Sequence, residues 1–137
     1  MDGYLNSPEE TRAVLVDGWF RTGDLASVTP EGFVRIEGRA RDRILRLGYS
    51  VFPQEVEAVL LTHPAVAEAA VVGRKHPQRG EEVAAFVVLR RGGRAEPEEL
   101  VAYCKERLAS FKYPRQVTIL EELPKDAKGK ILKLRLG

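Results

Sequence analysis

The feature that most constrains the fold is the alternation of strand-like and helix-initiating segments after residue 44. Val- and Ala-rich stretches with strand character are separated by Pro-Gln-Glu and Pro-Glu-Glu, which are typical first turns of helices. The predicted elements are a hairpin at 44–52, a helix from Pro53, strands at 65–72 and 83–89, a helix from Pro97 and a strand at 117–120. This order predicts an α+β domain, a small sheet of mostly antiparallel strands with two main helices packed on one face.

The segment before this domain has a different character. Ser7-Pro8-Glu9-Glu10 predicts a helix start with Ser7 as cap, and Asp17-Gly18 ends that helix early. A turn at 29–32 and the alternating stretch 33–36 predict a β-hairpin. Residues 1–37 are therefore a short helix and a hairpin, 38–43 a polar linker, and 44–137 a complete small domain.

Composition excludes several classes of protein. Of the 137 residues 44% are apolar, and 22 Lys and Arg against 20 Asp and Glu leave a formal charge of +2, so neither disorder nor nucleic-acid binding is indicated. No apolar run approaches the ~18 residues of a membrane helix, and the start lacks the pattern of a signal peptide. The single cysteine, Cys104, fits a reducing compartment. We expect a soluble, cytoplasmic protein.

Three polar clusters are candidates for binding or chemistry. Asp24 follows Thr22-Gly23 and could accept hydrogen bonds from a vicinal diol such as ribose, or simply bond its own turn. Four arginines at 39, 41, 43 and 46 could meet phosphates, or form a solvated connector. The loop 125–130 ends in Gly-Lys but has Pro124 and Ile131 where a P-loop needs Gly and Ser or Thr. It could still deliver a lysine charge to an oxyanion.

Other chemistries are not supported by the sequence. Two histidines and one cysteine give no metal-ligand spacing, and His63, before Pro64, is predicted to cap a helix or lie at the surface. No G-x-S-x-G occurs. Adjacent acids such as Glu81-Glu82 point in different directions and are predicted to be solvated.

Taken in order, the clusters resemble a known set of motifs. GWFRTGD at 18–24, GRARD at 38–42, GYSVFPQEVE at 48–57 and PKDAKGK at 124–130 are similar to the C-terminal motifs of the adenylate-forming (AMP-binding) superfamily. The sequence Val51-Phe52-Pro53 at the start of the helix predicted from Pro53 looks most like that of fatty-acyl and aryl acyl-CoA synthetases. The resemblance covers essentially this whole chain but only the last part of a family member.

The resemblance implies a role for each matching residue. Asp24 and Arg39 would bind the nucleotide, and Arg41 stands at the hinge, where families carry Asp or Lys. Gly48 would lie beside the pantetheine tunnel, and Phe111 and Arg115 in a loop that packs against CoA. Lys130 would be the catalytic lysine that reaches the carboxylate and α-phosphate during adenylation.

The implied activity is that of an ATP-dependent acid–CoA ligase, which forms an acyl adenylate and then a thioester. ATP/AMP and CoA would be substrates, Mg²⁺ is expected with ATP, and no metal ligand is expected in this chain. Residues 1–37 would end the missing N-terminal domain, so this chain alone is expected to be an inactive lid, and its exposed apolar surface is compatible with a homodimer. The alternative is a free-standing module that binds CoA, a nucleotide or a protein without catalysis.

Overall fold

The computed structural model describes residues 2–137, which form two compact units. The first unit ends at Arg41 and the second comprises Asp42–Gly137. Among the described residues, no helix is both long enough and apolar enough to cross a lipid bilayer.

The first unit consists of one short helix and two small hairpins. Its elements are α1 (Pro8–Val14), β1 (Leu15–Val16), β2 (Trp19–Phe20), β3 (Asp24–Val28) and β4 (Val34–Arg39). Asp17 and Gly18 link β1 to β2 with φ values of 50° and 81°, the left-handed geometry of a two-residue hairpin turn. Ser7 lies at the predicted cap of α1, but its side chain makes no capping hydrogen bond. Instead its carbonyl accepts from the hydroxyl of Thr11.

This unit has almost no core of its own. Gly38 is its only described residue that is buried. The side chain of Trp19 is 80% exposed, and Phe33, Val34 and Ile36 are exposed as well. A two-stranded hairpin with an open apolar face is marginally stable in water.

The second unit is a five-stranded sheet with two helices, as the sequence predicts. The strands run in the order β6-β5-β8-β7, and β9 pairs with β8. All pairings are antiparallel except β8 with β9. The elements are β5 (Ile44–Arg46), β6 (Tyr49–Val51), α2 (Pro53–Leu61), β7 (Val66–His76), β8 (Gly80–Leu89), α3 (Pro97–Arg107) and β9 (Gln116–Ile119), with 3₁₀ helices at Ala40–Asp42 and Lys133–Arg135.

The connection between β7 and β8 is shorter than predicted. The polar stretch 73–82 suggests a long turn, but the ladder continues to the pair His76 and Gly80. Arg74 faces Glu82 and Lys75 faces Glu81 across it, so the polar stretch continues both strands.

Alternate residues of the two long strands form two separate cores. One face of the sheet carries Val71, Val83, Ala85 and Val87 and is covered by both helices through Val56, Leu60, Leu100 and Cys104. The opposite face carries Ala70, Val72, Ala84 and Phe86 and is covered by the C-terminal segment through Leu123, Ile131 and Leu136. We call these the helix face and the tail face. The sheet therefore separates two surfaces that different parts of the chain cover.

Candidate functional site

The two predicted nucleotide-binding residues lie opposite each other in the first unit. Asp24 and Arg39 are cross-strand partners in the β3–β4 hairpin, and Arg39 Nε lies 3.1 Å from Asp24 Oδ1. The Asp24 backbone N–H donates to Thr22 Oγ1, and Arg39 Nη1 donates to the Thr22 carbonyl at 3.2 Å. Both side chains remain open to solvent. A carboxylate and a guanidinium group thus lie side by side and are open to solvent, an arrangement that suits a diol beside a phosphate.

Arg41 lies in the 3₁₀ helix Ala40–Asp42 and is exposed. It is the last residue of the first unit. Its position places it at the junction of the two units, and its role as a hinge stays a prediction.

The turn between β5 and β6 carries Gly48. Leu47 and Gly48 occupy the two turn positions with φ values of 52° and 82°. A Cβ added to Gly48 would meet no atom within 4 Å, so only the backbone conformation favours glycine here within this chain. The turn is exposed, and its surroundings are open to a ligand or another protein surface.

Of the predicted CoA-binding loop residues, Phe111 lies next to this turn. The ring of Phe111 stacks on that of Tyr49, the residue after Gly48, with centroids 4.6 Å apart. Four residues further along the loop, the Arg115 guanidinium lies 4.2 Å from the centre of the Tyr113 ring and donates to its hydroxyl. The structure therefore places Phe111 beside the glycine turn, whereas Arg115 contacts Tyr113 of its own loop.

Arg46 contradicts the interpretation of the arginine cluster as a solvated connector. Its side chain is only 2% exposed, and its Nη1 donates to the carbonyls of Phe111 and Tyr113 at 3.0 and 3.4 Å. Its Nε lies 2.8 Å from Glu82 Oε1 in an ion pair, although the N–H is not aligned for a hydrogen bond. Burial lowers the pKa of Arg46, and the Glu82 carboxylate opposes that shift.

The acids Glu81 and Glu82 both form bonds to this hairpin, and for Glu82, which is largely buried, the prediction of a solvated side chain is wrong. Glu82 is 16% exposed and also accepts from Arg79 Nη1 at 2.9 Å. Glu81 Oε2 accepts from the backbone N–H of Leu45 at 2.7 Å. A signal was available: in a strand Arg46 shares a face with Ile44, a core residue.

Lys130 is presented by a tight loop on the other side of the sheet. Asp126 Oδ1 accepts from the backbone N–H groups of Lys128 and Lys130 at 2.8 and 2.9 Å, and Asp126 N donates to the Lys130 carbonyl at 2.9 Å. The base of the loop is anchored by Leu123 and Ile131 on the tail face. The side chain of Lys130 is exposed and has no hydrogen-bond or ion-pair partner among residues 2–137. Its ammonium is thus a free cation on an ordered backbone.

The remaining candidates for chemistry are structural. His63, predicted to cap a helix or lie at the surface, is buried; its Nδ1 accepts from Ala65 N, and its Nε2 lies 3.5 Å from Glu99 Oε1. Burial raises the pKa of the Cys104 thiol to about 11, so it is a poor nucleophile at neutral pH. The described residues contain no group of three or more His, Cys, Asp or Glu that could hold a metal ion.

Comparison with known proteins places this geometry in context. A family model described as the AMP-binding enzyme C-terminal domain matches residues 55–130. The long-chain-fatty-acid–CoA ligase of Bacillus subtilis (strain 168) is 49% identical over 136 residues, which are 99% of this chain and 24% of that protein. The 2-succinylbenzoate–CoA ligase of Bacillus cereus (strain Q1) is 42% identical over 134 residues, 98% of this chain and 27% of that protein.

Among solved structures, the o-succinylbenzoate CoA synthetase of Bacillus subtilis in complex with its acyl-adenylate intermediate superposes with a TM-score of 0.91 at 40% identity. That match covers 99% of this chain and 28% of the other.

Fold and sequence together define a small α+β domain of the kind found at the C-terminus of AMP-binding enzymes. The chain belongs to the AMP-binding enzyme C-terminal domain family, within the adenylate-forming superfamily. It spans about a quarter of the length of the curated relatives it matches.

Proposed function

We propose that this chain is the C-terminal lid of an ATP-dependent acid–CoA ligase. Family membership and the names of the relatives, which are CoA ligases, support the proposal. The reaction would join a carboxylic acid to the α-phosphate of ATP with release of pyrophosphate. The CoA thiol would then displace AMP from the acyl adenylate to form the thioester.

The observation that carries the proposal is that the Lys130 loop and the Phe111 loop lie on opposite faces of the sheet. The loop that presents Lys130 is anchored on the tail face, and the Phe111 loop packs with the helix face. A lid with these two surfaces can present the lysine in one half-reaction and the CoA surface in the other. Rotation about the linker at 38–43, with Arg41 as hinge, would exchange them.

Each candidate residue then has a defined task. Asp24 would accept hydrogen bonds from the ribose hydroxyls, and Arg39 would contact the nucleotide while fixing that carboxylate. Lys130 would stabilise the charge that develops between the carboxylate and the α-phosphate. Gly48 and Phe111 would border the pantetheine and adenine of CoA, and Arg115 would face its phosphates.

Two further assignments complete the proposal. Mg²⁺ is expected to arrive with ATP, and we assign it no ligand in this chain. The acid is proposed only as a class, since no residue of this chain is assigned to an acyl pocket. We propose a cytoplasmic location, in keeping with the single, buried cysteine.

Residues 1–37 would complete the N-terminal domain, and 44–137 would be the lid proper. The exposed apolar side chains of the first unit support this division, because a larger domain would cover them. The chain alone is then expected to be inactive, since a cation on a lid needs the site that it closes over. Without that domain, a homodimer could cover the same surface.

A chimeric ligase tests the proposal. This chain replaces the matching segment of the Bacillus subtilis long-chain-fatty-acid–CoA ligase, which is 49% identical to it. The chimera is expected to release pyrophosphate from ATP and a fatty acid and to form the thioester with CoA. The 137-residue chain alone is expected to do neither.

Lysine variants in the chimera test the residue assignment. Lys130→Ala is expected to lower the adenylation rate by about 10²–10³ with unchanged thermal stability. Lys128→Ala, in the same exposed loop, is the matched control and is expected to stay within about twofold of wild type. A loss below about tenfold for Lys130→Ala would mean that it is not the catalytic lysine. An inactive chimera that still binds CoA through this chain would favour the free-standing binding module.

A further inference from the structure

The buried guanidinium of Arg46 joins two segments that are distant in sequence. It precedes the Leu47–Gly48 turn directly, and its Nη1 reaches the carbonyls of Phe111 and Tyr113, 65 and 67 residues away. Its partner Glu82 lies near the start of β8, the central strand. Hydrogen bonds to two backbone carbonyls fix where the loop backbone runs, whatever side chains the loop carries.

The turn is also attached to Arg79, the residue before the same strand. Leu47 N donates to the Arg79 carbonyl at 3.0 Å, and Arg79 Nη1 donates to Glu82 Oε2 at 2.9 Å. Glu82 therefore forms ion pairs with two arginines. Arg46 directly precedes the turn, and the carbonyl of Arg79 accepts a hydrogen bond from Leu47 in the turn. Moving Glu82 or Arg46 would shift the turn and the loop relative to each other.

We propose that Arg46 and Glu82 form a positioning pair that holds the Gly48 turn and the loop 111–115 in one geometry and so sets the affinity for CoA without contacting it. The inference rests on the proposed function, because both segments carry the residues assigned to CoA. The Tyr49–Phe111 stack lies between the two segments and depends on their spacing.

The location of the pair makes its effect selective. Arg46 donates to the carbonyls of Phe111 and Tyr113, and the side chains of these two loop residues pack with the helix face. The Lys130 loop, in contrast, is anchored on the tail face. Loss of the pair should therefore weaken thioester formation and leave adenylation intact. A residue that acted only through general stability would affect both half-reactions.

The variants must keep the domain folded. Removing one partner leaves an uncompensated buried charge, whereas replacing both with apolar side chains of similar volume is often tolerated. The test variant is therefore Arg46→Met with Glu82→Met, and Arg46→Lys, which keeps the buried charge but not the planar fork, is the second variant. Arg74→Met is the matched control, because Arg74 Nη2 also donates to a distant carbonyl, that of Leu136, at 3.2 Å.

Two measurements decide the proposal. In the 137-residue chain, amide hydrogen exchange at 47–49 and 111–115 is expected to quicken by about tenfold in the double variant and not in Arg74→Met. In the chimeric ligase, the KM for CoA is expected to rise by about tenfold while the adenylation rate stays within about twofold. Arg46→Lys is expected to give a smaller rise in the same KM.

The contrary results are distinct from failure of the proposed function. An unchanged KM for CoA, or an equal loss in both half-reactions, would overturn the positioning role although the wild-type chimera is active. If the double variant does not fold, an unchanged KM in Arg46→Lys would overturn it in the same way. A wild-type chimera that forms no thioester would refute the proposed function and this inference with it.

Discussion

Substitution of Asp126 should impair adenylation without unfolding the domain. The loop that presents Lys130 is short, and one carboxylate oxygen accepts two of its backbone N–H groups, those of Lys128 and Lys130. Asp126→Ala removes both hydrogen bonds at once. The backbone bonds from Asp126 N to the Lys130 carbonyl and from Gly129 N to the Asp126 carbonyl would remain. The change therefore loosens the loop at the residue that carries the ammonium.

The size of the effect follows from the two lost hydrogen bonds. Because the loop is exposed, water replaces the carboxylate, so each bond contributes only about 0.5–1.5 kcal/mol. A combined loss of about 1–3 kcal/mol lowers the ratio of ordered to disordered loop by a factor of about 5–160. If adenylation requires the ordered loop, its rate should fall with the ordered fraction, by at most this factor. Global stability should fall by no more than the free energy of these two hydrogen bonds, since the apolar anchors Leu123 and Ile131 are untouched.

The assay compares pyrophosphate release and thermal unfolding of the chimeric ligase with those of its Asp126→Ala and Asp126→Asn variants. Asp126→Asn is the matched control, because its amide oxygen can accept the same two hydrogen bonds without the charge. We expect Asp126→Asn to keep most of the activity that Asp126→Ala loses. Equal losses in both variants would show that the charge, not the loop geometry, matters. Full activity in Asp126→Ala would refute the role of loop order.

The other predictions concern the chain itself. Gly80→Ala should destabilise the folded chain more than Gly92→Ala does, by about 1 kcal/mol or more. Both glycines have positive φ, but only at Gly80 would a Cβ approach a backbone atom, the Leu45 carbonyl oxygen, at 3.1 Å. Equal urea midpoints for the two variants would contradict this. Folding raises the pKa of Cys104 from 9.0 to about 11, so between these pH values the folded chain keeps a thiol proton that the unfolded chain releases. The free energy of unfolding should therefore fall by about 2–3 kcal/mol as the pH rises from 9 to 11. Urea titrations should show this loss in wild type but not in Cys104→Ala. Trp19, the sole tryptophan, is 80% exposed, so acrylamide should quench its fluorescence efficiently when the protein is at micromolar concentration. Quenching that weakens as the protein concentration rises, together with a dimer in sedimentation, would instead indicate self-association through this surface.

Local signals in the sequence were sufficient to predict most of the fold. Pro53 and Pro97 begin helices because proline suits the first helical position, and each is followed by acids that favour a helix N-terminus. The two Val- and Ala-rich stretches form the central strands. The extent of β7 and β8 could not be predicted, because their polar ends are fixed by register and by long-range contacts such as Glu82 with Arg46, not by a local apolar pattern.

The candidate site was predicted through motifs, and the structure adds what fixes it. Asp24 and Arg39 are separated by 14 residues in sequence, and only the hairpin register makes them partners. Arg46 looked like one more arginine of a polar connector, because its carbonyl partners lie more than 60 residues away. A buried charge of this kind is determined by tertiary contacts, which a local pattern does not contain.

The first unit presents a polar pair on a hairpin that cannot be stable by itself. Ala26 faces Ile36 and Val28 faces Val34 across β3 and β4, and all four side chains are exposed. Cross-strand apolar pairs stabilise a sheet chiefly when another layer covers them. The salt bridge between Asp24 and Arg39, being open to solvent, contributes little and cannot replace that layer. The nucleotide-binding geometry proposed for this pair therefore requires a covering surface, and the same apolar face that would attach the hairpin to a larger domain would also hold its carboxylate in place.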